Sequence, residues 1–447
     1  MALRRRLDLV LPGAALLGVL VPLLPSLLLR IGVPLTAVRP YTYYKDLAVV
    51  VVLSCLAESG RRESGPLDAV ERWGLAFIGL VTLYLLLPLA SPGADALPFN
   101  IRSYGWRFDV EWLIFLLGLR RLRLPPRTAQ YFMRTLYVIT ALEVAATTYE
   151  KLRPHAWETF LTATLRVPNY LSAALGSSPL LADVNDFGTG KALRAGGLTA
   201  NSLSTGFIMV ILLAALAPHL AATRVSRRMI LLLGGSLVAL SLTLTRSAVL
   251  SGLVVLLFVL SQRATPLLAS RARGTLLVTT GLLVAAPFLL GSDLVRRTTS
   301  AFTGSDPSAE AHSQGSSTAL SLARDHLLGF GLGTNPNVAN RFGVVTITAE
   351  NTFLQTALEL GVLGLVLLAG LLLSLVVSCL RTHRALGGSA LHLGAAAAAV
   401  GVLVQSLFLE PFSDLPTAFL FAALVAVAQP VRGDPALNDY EPVTTDR

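Results

Sequence analysis

Apolar runs of about 20 residues recur along almost the whole chain, and they restrict its fold more than any other feature. A run of that length satisfies its own backbone as a helix and spans the hydrocarbon layer of a bilayer. About twelve can be placed, beginning near Leu9, Asp46, Trp73, Asp109, Gln130, Leu203, Met229, Ser247, Thr275, Asn351, His392 and Leu415. They are continuous rather than alternating, which argues against a β-barrel. Only 14% of the 447 residues are charged, against roughly 25% in soluble domains. The expected fold is therefore an all-α polytopic membrane protein, with about 12 transmembrane helices and a large extracytoplasmic loop. The first run follows Arg4 to Arg6, is long and lacks a small-x-small cleavage site, so it reads as a retained span rather than a signal peptide.

Loop charge orients the spans. Arg4 to Arg6, Arg61-Arg62, Arg120 to Arg127, Arg224 to Arg228, Arg263 to Arg273 and Arg381 to Arg384 fall on alternate loops. All of them land on one side, taken as cytoplasmic, and both termini are expected there too. The net charge of +10 is thus a matter of orientation rather than of nucleic-acid binding. Cys55 and Cys379 fall toward the same side, where a disulfide is not expected. The other side carries two long segments, Thr148 to Ser202 and Ser292 to Glu350. The first includes Trp157 to Leu175, which fits an amphipathic helix at the interface. The second is polar from Thr303 to Ser317, helix-like from Ala319 to Leu328, and then Gly-rich. The chain divides into helices and an outer loop over 1–202, a core over 203–430 containing outer loop 292–350, and a polar cytoplasmic tail over 431–447.

Polar groups inside spans are costly and mark either function or inter-helix bonding. Asn351, Gln355 and Glu359 share one helix face, with Glu350 at its mouth. An inter-helix hydrogen-bond stripe explains Gln355 and Glu359 as well as function does. The position of Glu350 and Asn351, at the end of the outer loop, favours function. Arg246 stands between two apolar runs on the outer side. It reads either as an interfacial anchor or as an anion clamp, since guanidinium suits phosphate oxygens. Arg194 precedes Gly196-Gly197, whose backbone N–H groups suit close approach of a ligand; the alternative is an ordinary loop entering a helix. Arg296-Arg297 are either phosphate contacts or interface anchors. Glu143 is an intramembrane carboxylate, explained as a site residue or as the partner of a buried arginine. No His/Cys set has zinc spacing, and the nucleophile-elbow, phosphate-loop and dinucleotide patterns are missing.

Four stretches together resemble the bacterial O-antigen ligase and O-antigen polymerase superfamily. They are Arg194-Ala195-Gly196-Gly197-Leu198 with Asn201; Leu244-Thr245-Arg246-Ser247-Ala248; His312 with Ser321 to Gly333; and Glu350-Asn351-Thr352-Phe353-Leu354-Gln355 with Glu359-Leu360-Gly361-Val362-Leu363-Gly364. The resemblance is carried by residues 190 to 375. It implies an inner-membrane enzyme that takes a glycan from an undecaprenyl diphosphate carrier and joins it to a glycan or envelope acceptor. Flippase and chain-length regulator proteins are the expected companions. Ligases of the lipid A–core type usually have His before the Asn of the last motif. Glu350 stands there instead, which is more similar to exopolysaccharide polymerases. On this resemblance Glu350, His312 and Asn351 are the catalytic candidates and Arg246, Arg194, Arg296 and Arg297 the diphosphate ligands. Gln355, Glu359 and Glu143 support them, with no metal or other cofactor expected. A transporter or flippase of a lipid-linked or anionic precursor is the alternative class, and a non-enzymatic envelope scaffold a third.

Overall fold

The structure is a computed structural model. It describes residues 7–20, 23–34, 44–59, 66–87, 97–122, 124–125, 127–167, 194–221, 226–262, 307–344, 346, 349, 351–386 and 388–428. All regular structure among them is helical. In chain order the helices are α1 (Leu7–Val19), α2 (Leu23–Arg30), α3 (Tyr44–Ser59), α4 (Ala69–Leu86), α5 (Phe99–Arg121), α6 (Thr128–Leu152) and α7 (Pro154–Thr159). Next come α8 (Ser202–Leu216), α9 (Arg227–Leu242), α10 (Arg246–Gln262), α11 (Pro307–Asp325), α12 (Pro336–Ala339), α13 (Thr352–Ala385), α14 (Ala390–Ser406) and α15 (Leu415–Val427).

Every expected span falls on a helix except the one from Thr275, which lies outside the described residues. Among the described residues three helices are long and apolar enough to cross a membrane: Ala69–Leu86, Ser202–His219 and Thr352–Ala385. The α1–α2 pair, bent by 79°, passes that test as one unit, while Arg246–Gln262, Ala390–Ser406 and Leu415–Val427 are apolar but shorter. α5 starts at Phe99, well before the expected Asp109, and so places Asp109 mid-helix. The stretch expected to be a polar loop, Thr303 to Ser317, is helical from Pro307 onward. The expected interfacial helix is short: α7 runs into a π-helical turn, Phe160–Thr164, and the remainder lies outside the described residues.

The centre of the bundle is α8, flanked by α14 and α10. α8 is apolar all round, the pattern of a helix enclosed by others. Ile208 through Ala217 are essentially inaccessible. Close approach comes from small residues. A Cβ on Gly401 would meet Val210 and Val255, and one on Gly394 would press on the Ala214 carbonyl. α13 lies against α4, α14 and α11, and α15 against α5. At one end of the bundle, Arg121 makes a paired contact with Glu71, at 2.6 and 2.8 Å, and Arg120 reaches Asp68 at 2.6 Å. Asp68 and Glu71 are themselves the capping box of α4. This is the arginine-rich end expected to face the cytoplasm.

Candidate functional site at the opposite end of the bundle

α13 is not continuous. At Gly361 the backbone turns to φ 72°, ψ −172°, and the helix resumes beyond it. A break inside a span frees amides and carbonyls that lipid cannot satisfy. Here the chain supplies the partners from the Leu327–Gly333 turn. Phe330 N donates to Leu358 O at 2.6 Å, Gly331 N to Glu359 O at 3.1 Å, and Val362 N to Leu327 O at 3.0 Å. The Tyr84 hydroxyl lies 2.8 Å from Leu328 O and 3.3 Å from Leu360 O. The glycines follow from this close approach. A Cβ on Gly361 would sit 2.2 Å from Leu327 O, and one on Gly329 would sit 2.7 Å from Gly361 N and Leu358 O. Gly329, Gly331 and Gly333 all have positive φ. The Gly-rich motif is therefore a staple across a broken helix.

The staple carries a cavity of about 40 Å³, room for two or three waters. Asp109, Glu359 and Glu410 line it with Asn335, Gln355, Thr352 and Ser413, and Phe77, Phe108, Trp112 and Phe412 form its apolar wall. Trp112 and Phe412 are stacked, with ring centroids 4.5 Å apart. Glu359 Oε1 accepts from Gly333 N at 2.6 Å. Glu410 Oε2 accepts from Ser413 Oγ at 2.7 Å, Asn337 Nδ2 at 3.1 Å and Asn335 Nδ2 at 3.3 Å. Burial pushes the Glu410 carboxyl above its ordinary range, against these hydrogen bonds, which favour the charged form. Burial likewise raises Asp414, the N-cap of α15, against bonds from Thr417 and Ser204.

The arginine side is built on a second turn. Arg194 is buried and donates from Nε to Thr243 O at 3.1 Å and from Nη2 to Thr245 Oγ1 at 2.9 Å. Ala195 N adds a bond to Leu242 O at 3.0 Å. Arg194 thus closes the C-terminal end of α9 and shapes the turn, with Leu244 at positive φ, from which half-buried Arg246 opens α10. Thr245 Oγ1 also reaches Ser202 O at 3.3 Å, and Ser204 Oγ donates to Asp414 Oδ1 at 2.7 Å. A hydrogen-bonded path therefore joins the arginine turn, the start of α8 and the loop that carries Glu410.

Other expected site residues have structural partners. Gly196 N and Gly197 N both donate to Glu150 Oε2 at 2.9 Å, and Leu198 N to Glu143 Oε2 at 3.1 Å. The amides expected to meet a ligand are taken by carboxylates of α6, and Glu143 pairs with backbone rather than with an arginine. Asn351 is the N-cap of α13, accepting from Phe353 N and Leu354 N, while its Nδ2 donates to Leu407 O at 2.7 Å. Both ends of that amide are thus engaged in positioning. Gln355 accepts from Ala349 N at 3.2 Å and, with Glu359, faces the cavity. His312 lies on the α11 backbone. Glu350, Arg296 and Arg297 lie outside the described residues, as does the His312 side chain.

Asp109, Glu410, Asn335, Asn337 and Ser413 escaped the sequence reading. Asp109 looked like the start of a span, and Glu410 stands in a short link between two apolar runs. The Glu410-Pro411 pair, between two apolar runs, is the one signal the sequence offers.

Residues 229–369, from α9 through the break in α13, match the O-antigen ligase family. That stretch is similar to an O-antigen ligase domain. No curated protein matches the chain. The O-antigen ligase segment contains Arg246, the stapled turn and Glu359, whereas Asp109, Arg194 and Glu410 are brought to it from outside. Proteins of that family are in general membrane enzymes of cell-surface glycan assembly that act on a lipid-linked glycan and an acceptor.

Proposed function

We propose that the protein is a glycosyltransferase. It moves or polymerises a glycan from undecaprenyl diphosphate onto a glycan or envelope acceptor, at the outer face of a bacterial inner membrane with both termini cytoplasmic. The observation that carries this is the hydrogen-bonded path from Arg194 and the Arg246 turn to the Glu410 loop, within and around the O-antigen ligase segment. The arginine turn meets the leaving group and the outer-loop residues meet the acceptor. The diphosphate leaving group gains negative charge as the glycosidic bond breaks, and Arg246 offsets it. Each charge-assisted contact contributes about 1.5–3 kcal/mol. An acceptor hydroxyl loses its proton to a base, Glu350 or His312, and attacks the anomeric carbon with inversion. Arginines neutralise the diphosphate without a metal. Arg194 acts by holding the turn, and Arg296-Arg297 contact phosphate at the start of the outer loop. Glu350 in place of the ligase histidine favours a polymer-forming reaction.

A broken span is also a feature of transporters, where the freed groups hold substrate. In α13 the Leu327–Gly331 backbone and Tyr84 occupy those groups, which favours the enzyme. The test is purified protein with a defined lipid-diphosphate glycan and acceptor, read by product mass. Wild type gives a longer glycan, and Glu350→Gln and Arg246→Ala give little. Near-normal product from both variants, or translocation without new bonds, defeats the reading.

A further inference from the structure

We propose that the cavity between α5, α13 and the Glu410 loop is the subsite for the acceptor sugar, taking a pair of its hydroxyls. This rests on the transferase reading and says which partner goes where. The walls offer lone pairs and few donors. Ser413 and Asn335 already donate to Glu410, and Thr352 Oγ1 donates to Leu409 O at 2.9 Å. Asp109 lines the space, and its Oδ2 is closed to solvent and accepts no hydrogen bond. Among the described residues no lysine or arginine lines it. A diphosphate, all acceptor and doubly charged, is repelled by such a wall. A ligand rich in donors and free of negative charge fits it, and among the partners of glycan transfer that is a sugar hydroxyl edge.

The size agrees. Space for two or three waters admits two adjacent hydroxyls and excludes a whole ring, so the ring stays at the rim, where Asn337 is exposed. The stacked Trp112–Phe412 pair closes the cavity on its apolar side. Among the described residues no three His, Cys, Asp or Glu are grouped to hold a metal ion. The arginine turn and the cavity then divide the reaction, donor diphosphate at one and acceptor at the other, with the Ser204–Asp414 bond fixing the link between them.

The test is binding without turnover. Detergent-purified full chain is examined by saturation-transfer NMR against methyl glucoside, galactoside, mannoside, rhamnoside and N-acetylglucosaminide. Wild type saturates at least one of them. Asp109→Asn and Glu410→Gln, nearly isosteric, weaken it about tenfold or more; Asn337→Ala at the exposed rim weakens it less; Arg246→Ala leaves it in place. Equal signals from wild type and the cavity variants overturn the subsite, as does the absence of signal from every glycoside. Sodium or calcium binding that vanishes in the same variants, with no glycoside bound, marks a cation site and also overturns it. Glycoside binding that maps to the cavity in a protein inactive toward lipid-diphosphate glycans defeats the transferase reading alone.

Discussion

Arg194 sends two donors into the Thr243–Thr245 turn, so replacing it with alanine strands buried polar groups at the end of α9. The expected cost is about 1–3 kcal/mol of stability, visible as a lower thermal midpoint in detergent. Arg246→Ala acts on a different observable, lowering glycan transfer by about 10–100-fold for one lost charge-assisted contact. If Arg194→Ala leaves the midpoint unchanged, its role in holding the turn is wrong. Glu410 makes a pH prediction. Its carboxyl is raised by burial, with Asp109 and Glu359 facing it from α5 and α13 and neutral Asn335, Asn337 and Ser413 from the loops. A raised group takes up its proton at higher pH than the ~4.3 of a free glutamate. Acidification from neutral pH should therefore weaken transfer before ordinary carboxylates titrate, and Glu410→Gln should flatten that limb. A profile that falls only in the range of a free carboxylate contradicts this placement. Nothing in a sequence of short apolar links reveals that Asp109 and Glu410 meet. Their partnership depends on how α5 and α15 pack, which no local pattern encodes.

A helix interrupted at Gly361 and sewn to a Gly-rich turn is a single element made from two distant segments. Both segments were conspicuous in the sequence, and the stretch Ala319 to Leu328 read correctly as mostly helical. Their joint role was not legible, because hydropathy runs unbroken through Gly361 and a positive φ leaves no trace in composition. The Asn351, Gln355 and Glu359 face was legible from spacing, yet the same spacing hid a division of labour. Asn351 caps the helix start, whereas Gln355 and Glu359 turn to the cavity. Gly361→Ala should be severe: a Cβ 2.2 Å from Leu327 O means overpacking of about 1–3 kcal/mol, with about 1–3 kcal/mol more from a positive-φ backbone that only glycine adopts readily. Tyr84→Phe removes only the hydroxyl between Leu328 O and Leu360 O and should cost about 0.5–1.5 kcal/mol. Unfolding of both variants in one detergent checks the order. Equal stability of Gly361→Ala and wild type would mean the break does not hold the staple.

At the scale of the whole molecule, alternation of loop charge and the packing of loops are independent routes to one topology. Charge places the Arg120–Arg127 and Arg381–Arg384 loops on one side. Hydrogen bonds gather the opposite loops: Asn351 to Leu407 O, Ser204 to Asp414, and Arg194 to the Thr243–Thr245 turn. These bonds bring together described loops that charge alternation assigns to the outer side, while the span expected from Thr275 lies outside the described residues. The consequence is measurable with single cysteines. Cys55 and Cys379 are buried, so they are expected to react slowly and can be replaced by serine or alanine as a control. Asn340 and Arg384 are both exposed and lie on segments assigned to opposite faces. In cells with an intact inner membrane, a membrane-impermeant maleimide should modify Asn340→Cys at once and Arg384→Cys only after lysis. The reverse order, or reaction of both before lysis, would turn the cavity and the arginine turn away from the face where a lipid-diphosphate glycan is presented. The division of donor and acceptor between them would then have no substrate to act on.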